Sequence, residues 1–196
     1  MSKKKITKGQ YGYIKNQKVW VSAKTFLLYA MSLTIFGIGI KVMGTKENLL
    51  TVIAILGCLP AGRSTVNMIM FLKASGCSME AKDKIGGYTD GLTEIYDMFF
   101  TSYERNYPVS HMVLQSNVVC GYSESRKMDT GACGKHLEAY LKQGGCSGVA
   151  VKIYNDIEKY CEGLKNLQKQ KESTPKTKED GDREEIILEN LLSISL

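Results

Sequence analysis

The sequence predicts a small cytosolic α/β (or α+β) domain attached to an N-terminal two-helix transmembrane hairpin. Three observations predict it. Two long apolar runs lie close together near the N-terminus. Beyond them, helical and strand periodicities follow in the order α-β-β-(β)-α-β-α. The charge is also lopsided: the formal net charge is +6, yet residues 1–24 hold seven Lys and no acid, and residues 25–196 hold 19 basic and 20 acidic residues. The basic excess therefore belongs to one arm, and the remainder of the chain lacks the basic balance that nucleic-acid binding draws on. A composition of 43% hydrophobic and 23% charged residues with 3 Pro excludes a collagen-like, fully disordered or coiled-coil chain.

Residues 1–24 read as a basic juxtamembrane arm. Lys15, Lys18 and Lys24 stand on its approach to the first apolar run, and Trp20, the only Trp, suits the interfacial aromatic belt with Tyr11 and Tyr13. The hairpin covers 25–72, with spans at 25–43 and 49–72. Each reaches the roughly 20 residues that a bilayer requires, the first by including Val42 and Met43 with Lys41 snorkelling at its outer end. The lysine-rich flank stays inside, so both termini are expected in the cytosol, in a multi-pass protein of the cell (inner) membrane, with the short connector outside. A cleaved signal peptide competes poorly: the basic region is long, no A-x-A site follows Ile40, and a second apolar run comes at once. A hairpin buried in a soluble core is the other alternative, since Lys41 and Arg63 interrupt the two runs.

Within the second span, Gly57 to Ser64 (GCLPAGRS) nearly spells a phosphate-binding loop. Arg63 replaces the lysine that would reach the β/γ-phosphates, and no strand-terminal acid pairs with it convincingly, Asp156 being the nearest. A membrane helix explains the segment better. Pro60 kinks it by removing an amide, Gly57 and Ala61 allow close helix approach, and Arg63 lies about 13 Å from the cytosolic end at Leu72, within snorkelling reach of lipid phosphates. Asn67, one turn on, is placed to hydrogen-bond Arg63 or the facing helix.

Residues 73–94 are a polar junction with a helix over 79–95, and 95–167 form the domain. Ile95–Tyr103, Val109–Gln115 and Asn117–Tyr122 read as strands. Asp129 caps a helix that ends at Gly144-Gly145. Val149–Tyr154 is the clearest strand. Asp156 then caps a helix with Ile157, Tyr160, Cys161, Leu164 and Leu167 on one stripe. Residues 168–182 read as a disordered linker. Residues 183–196 form an apolar, amphipathic tail that docks on a partner or back on the domain.

Six Cys are scattered without a C-x-x-C, as in a reducing cytosol. A zinc site drafted from Cys133, His136 and Cys120 or Cys146 competes with Cys133 as a core residue. His111 shares the strand face of Val109 and Val113. A Cys120 pairing with His111 or His136 has no third group to position it. Asp90, Glu94 and Asp97 form an acidic cluster, with Asp90 and Glu94 on one helical face. None of these makes a complete catalytic or metal constellation, so no cofactor is expected.

The order of elements is similar to the restriction-endonuclease-like core, α-β-β-β-α-β. That resemblance implies an acid on the second strand and an [E/Q]-x-K on the third, to hold a metal and activate water. Here the corresponding stretch reads Gln115-Ser116-Asn117 without the Lys, and Lys127 falls three residues after Glu124. The expectation is a membrane-anchored interaction or regulatory protein. Its partners are anionic lipid headgroups and an unidentified protein or a second copy of itself. A membrane-tethered enzyme with a restriction-endonuclease-like domain, active or inactive, is the alternative, and a pore or transporter subunit assembled from hairpins, lined by Arg63 and Asn67, is a third class.

Overall fold

The computed structural model describes residues 6–45, 48–102, 105–173 and 178–196. They contain six α-helices and one four-stranded mixed sheet, in two compact units. Ile14–Ala74 is one unit; the described residues up to Tyr13, together with Ser75–Leu196, form the other.

The first unit is α1 (Tyr13–Met43) and α2 (Leu49–Lys73). No Gly or Pro interrupts 13–36, so α1 starts well before the first apolar run and takes Lys15, Lys18 and Lys24 into the helix. Asn48 caps α2, its side chain accepting from Thr51 N at 2.9 Å. The two helices are antiparallel and meet along small side chains. Thr25 Oγ1 and Ser64 Oγ are 2.7 Å apart, a Cβ on Gly57 would come 2.7 Å from Ser32 Oγ, and one on Gly39 would come 3.0 Å from Leu50 Cβ. The buried residues Thr25, Ser32 and Gly39 recur every seven positions, as do Ala54 and Ala61 on the partner helix. Pro60 lies inside α2, which continues through it. The outward faces are apolar: Phe26 is 78% exposed and Leu59 70%. Both helices are long and apolar enough to cross a membrane. Lys46 and Glu47 of the connector lie outside the described residues.

The second unit is a mixed α/β fold. Ser78 caps the short α3 (Met79–Ile85), which ends ten residues earlier than the expected helix over 79–95 because Gly86, Gly87 and Gly91 lead out of it. The strands are β1 (Thr93–Thr101), β2 (Asn106–Gln115), β3 (Val118–Tyr122) and β4 (Ala150–Tyr154), side by side in that order. β1, β2 and β3 form an antiparallel meander, and β4 joins β3 in parallel. The parallel join needs a crossover, supplied by α4 (Thr130–Gln143). Asp129 caps α4 through Ala132 N. Asp156 accepts from Glu158 N and Lys159 N at the start of α5 (Ile157–Ser173).

Both faces of the sheet are apolar and each is covered by helices. Met98, Val109, Met112 and Leu114 pack with Cys133, Leu137 and Leu141 of α4 and with Ile187 and Leu191 of α6 (Lys178–Ile194). On the other face, Val113, Cys120 and Tyr122 pack with Ile85 of α3 and Tyr160, Cys161 and Leu164 of α5. The alternation shifts once. Ile95 and Met98 of β1, three apart rather than two, share the first core, and so do their cross-strand partners Met112 and Val109. Asp97, at φ +56, lies between them. The shift puts His111 on the α5 side with Val113 but not with Val109, correcting the expected shared face.

The chain ends also differ from expectation. Residues 168–173 extend α5 and 178–182 begin α6, so neither stretch is linker; 174–177 lie outside the described residues. The tail docks back on its own domain. Ile187 and Leu191 are fully buried, Glu184 accepts from Ser116 N at 2.5 Å, and Arg183 donates to Ser147 O. β1 is an edge strand with outward backbone groups that need partners. Gly9 O accepts from Tyr96 N, Leu196 N donates to Phe99 O, and Lys8 Nζ donates to Ser195 O. The start of the basic arm is therefore part of the globular unit.

Leu191→Ala is expected to destabilise this unit by about 2–5 kcal/mol, whereas Ile186→Ala, at a half-exposed position on the same helix, changes stability by less than about 0.5 kcal/mol. Urea titration of the detergent-solubilised chain, followed by tyrosine fluorescence, measures both.

Candidate functional site

An open cleft of about 720 Å³ lies at the carboxyl ends of the parallel strands β3 and β4. In α/β sheets such ends collect ligand-binding side chains, because loops diverge there. Tyr122 ends β3, and Asn155 and Asp156 follow β4. Glu80 and Lys84 come from α3, Glu124 and Arg126 from the segment after β3, and Glu158 from α5. Glu124 clamps the start of α3 by accepting from Ser78 N at 2.8 Å. Asp156 is occupied in capping α5. Lys84 Nζ is 3.8 Å from Glu158, an exposed pair worth little. Arg126 makes no ion pair among the described residues. The cleft thus offers a polar, mixed-charge binding surface, and no Cys or His lines it.

Behind it runs a column of rings. Tyr122 stacks on Tyr160 at 5.6 Å, Tyr160 meets His111 edge-on, His111 lies 4.4 Å from Tyr96, and Tyr96 meets Tyr11 at 5.8 Å. Lys82 Nζ sits 4.2 Å over the Tyr11 ring. His111 is wholly buried. Its Nδ1 is 2.7 Å from Tyr160 Oη, and its Nε2 is 3.5 Å from Glu94 Oε2. Tyr96 Oη donates to the same Glu94 oxygen at 2.6 Å. His111, with Thr89 and Tyr96, holds the Glu94 carboxyl down at about 2. Burial, with Glu94 behind it, pushes the Tyr96 hydroxyl up.

The acidic cluster expected at the domain entrance is dispersed. Glu94 is on β1 rather than on a helix and faces His111; Asp97 is buried and accepts from Cys77 N at 2.7 Å; Asp90 is exposed in the turn before β1. Of Asp90, Glu94, Glu124 and Lys127, the cleft takes only Glu124. Among the described residues no group of three or more His, Cys, Asp or Glu could hold a metal. Topology removes Cys120 from the zinc draft, because it lies in the α5 core across the sheet; Cys146 shares the α4 core with Cys133, but no third ligand completes a group there among the described residues. Burial pushes the Cys120 thiol up to about 11 and Cys133 to about 12, which removes the thiolate a nucleophile needs. Neither β2 nor β3 carries an acid. Gln115 ends β2 and Ser116-Asn117 make the tight turn to β3, with Ser116 at φ +48, so Ser116 and Asn117 stand off the strands that the nuclease resemblance requires.

On the hairpin, Lys15, Lys24, Trp20 (68%) and Arg63 are exposed, and Lys18 is half-buried. Gly57 lies against Ser32 and Ala61 is fully buried in the seam. Gly57–Ser64 is continuous helix, not a phosphate loop. Asn67 is exposed and hydrogen-bonds neither Arg63 nor α1 among the described residues, because the seam passes through Ser64 instead. Sequence reasoning missed the cleft and the ring column. Their members come from six separate segments, and no spacing links them.

Comparison of the chain with protein-family models, with curated proteins and with solved structures finds no match. The likeness to the restriction-endonuclease-like core therefore rests on element order alone.

Two outcomes follow from this geometry. Glu94 titrates near 4.5 when unfolded and about 2 when folded, so its contribution to stability is complete above pH 4.5 and is lost as the pH falls toward 2. Glu94→Gln should flatten the acid limb of a stability–pH curve measured by urea midpoint. Burial and the nearby Glu124 and Asp97 carboxylates push the Cys77 thiol up to about 12. Iodoacetamide at pH 8 should therefore alkylate it far more slowly in the native chain than in urea, as peptide mass spectrometry would report.

Proposed function

We propose that this chain is a membrane-anchored interaction protein of the cytosolic face. The α1–α2 hairpin spans the bilayer, both termini and the α/β unit lie in the cytosol, and the polar cleft meets a partner protein. One observation carries the anchor: in the most apolar windows of α1 and α2 only 11% and 17% of residues are buried, unlike the core helices of a soluble fold. Such an exposed apolar surface is stable in contact with lipid. The topology draws support from the chain on either side of the hairpin. Gly9 pairs with Tyr96 and Lys8 with Ser195, so segments before and after the two helices build one folded unit. That supports placing both ends of the hairpin on the same side, and the lysines flanking α1 favour the inside.

The non-catalytic reading is supported by the composition of the cleft. Glu124 is engaged in clamping Ser78 and Asp156 in capping α5, and no thiol lines the cleft. Residues 75–196 carry fifteen basic and nineteen acidic residues, so the domain has no basic excess for nucleic acid and its partner is a protein surface. Arg126, exposed at the cleft, is the residue most directly available to it.

The chain should stay in the membrane pellet at alkaline pH in carbonate; release into the supernatant would end the membrane reading. A cysteine placed at Thr45 should label with an impermeant maleimide in intact cells, and one at Lys127 only after permeabilisation. The reverse pattern would invert the topology.

A further inference from the structure

We infer that Lys24 and Arg63 together form a site for the phosphate of an anionic phospholipid, on one side of the hairpin near its cytosolic end. This rests on the membrane reading above and adds to it a ligand, two residues and a depth.

The register of the hairpin brings the two cations together. The contacting pairs Thr25–Ser64, Ser32–Gly57 and Gly39–Leu50 keep one constant antiparallel register. Lys24 precedes Thr25, and Arg63 precedes Ser64. At 1.5 Å per residue the two cations differ in height by about 3 Å. At 100° per residue, the position before a seam residue projects to the same side on both members of an antiparallel pair, because the reversal of direction cancels the reversal of facing. Asn67, one turn further along α2, projects to that side as well. Both cations are exposed, and neither has a carboxylate on its own or the facing helix: α1 and α2 contain no acidic residue. The hydroxyls between them, Thr25 and Ser64, are buried and satisfy each other.

Depth selects the ligand. Measured from Lys41 at the opposite end, Lys24 lies about 25 Å along α1. A hydrocarbon slab of about 30 Å thus ends roughly 5 Å beyond Lys24, a distance that lysine and arginine side chains span. Trp20 is exposed in that same stretch. Two cations at this level meet the phosphate layer by extending their own stems. A carboxylate from a partner helix would have to be held inside hydrocarbon to reach them, at a much greater desolvation cost.

Native mass spectrometry of the full chain, released from bilayers of mixed phosphatidylcholine and phosphatidylglycerol, tests the site. The wild type should retain phosphatidylglycerol preferentially. Lys24→Gln with Arg63→Gln should reduce that preference by about thirtyfold, the factor two interfacial cations supply. Lys24→Arg should keep it, and so should Lys15→Gln with Lys18→Gln, which removes the same charge elsewhere on α1. The inference is overturned if the Lys24/Arg63 double variant retains the lipid as the wild type does, if the Lys15/Lys18 variant loses it equally, or if inorganic phosphate displaces it. A Lys24- and Arg63-dependent dimer without bound lipid would also overturn it, in favour of a protein partner. The same variants are scored for carbonate extraction. Extraction of the wild type defeats the membrane reading and the site with it, whereas a carbonate-resistant chain with unaltered lipid retention defeats the site alone.

Discussion

The four-stranded sheet of the globular unit is apolar on both faces, and the rest of that unit is organised by the need to cover them. A meander of three antiparallel strands can be laid down locally, but the parallel fourth strand needs a crossover. α4 is that crossover, and it brings Cys133, Leu137 and Leu141 onto one face. The other face is closed by α3 and α5 through Ile85, Tyr160 and Leu164. α4 alone does not cover its side, so α6 is drawn back from the end of the chain to bury Ile187 and Leu191. The β1 edge is then closed by residues from both ends of the chain, around Gly9 and Ser195. Chain termini usually fray; here they cover an edge strand that would otherwise offer itself to another chain.

The aromatic column is a consequence of one local irregularity. The facing shift at Asp97 and its cross-strand neighbours turns Tyr96 and His111 toward α5, where Tyr160 receives His111 and Glu94 closes the other side of the imidazole. A buried imidazole hydrogen-bonded at Nδ1 and faced by a carboxylate 3.5 Å from Nε2 is costly to disturb. Asp97 itself is held by the Cys77 amide, and Gly76 is needed beside it: a Cβ there would come 2.9 Å from the carboxylate. The junction after α2 is therefore tied into the sheet rather than hanging from it. That tie and the Glu124 clamp on Ser78 set the wall of the cleft.

The hairpin obeys a different constraint. On the proposed reading, with lipid on the outside, burial of apolar surface does not drive its two helices together, and close approach along small side chains does. Gly57, Ala61, Ser32 and Gly39 set how near the axes come, and the Thr25–Ser64 hydroxyl pair sets the level. Once that level is set, two cations thirty-nine residues apart in the chain occupy one depth and one side. The electrostatic character of the protein is divided accordingly: residues 14–74 hold seven basic residues and one acid, and the remainder of the chain balances nineteen basic against nineteen acidic residues.

Much of the fold was legible in the residues. The spacing of apolar positions located α4, β4 and α5, and Asp129 and Asp156 announced two helix starts, because caps and periodicity act within a few residues. Two apolar runs separated by Asn48 and its neighbours were enough for two long helices. What remained hidden depended on distant pairing. Periodicity reports that Leu191 and Ile187 form an apolar stripe but not that α6 turns back onto its own sheet, and it assigns His111 to the wrong neighbour because a facing shift leaves no mark in composition. The sequence by itself determined the segments, their order and the placement of charge. Only the tertiary structure decided that Thr25 meets Ser64, that Glu94 faces His111, and that the tail closes its own domain. Side-chain chemistry acts over ångströms, and which residues lie ångströms apart is settled by packing across the whole chain.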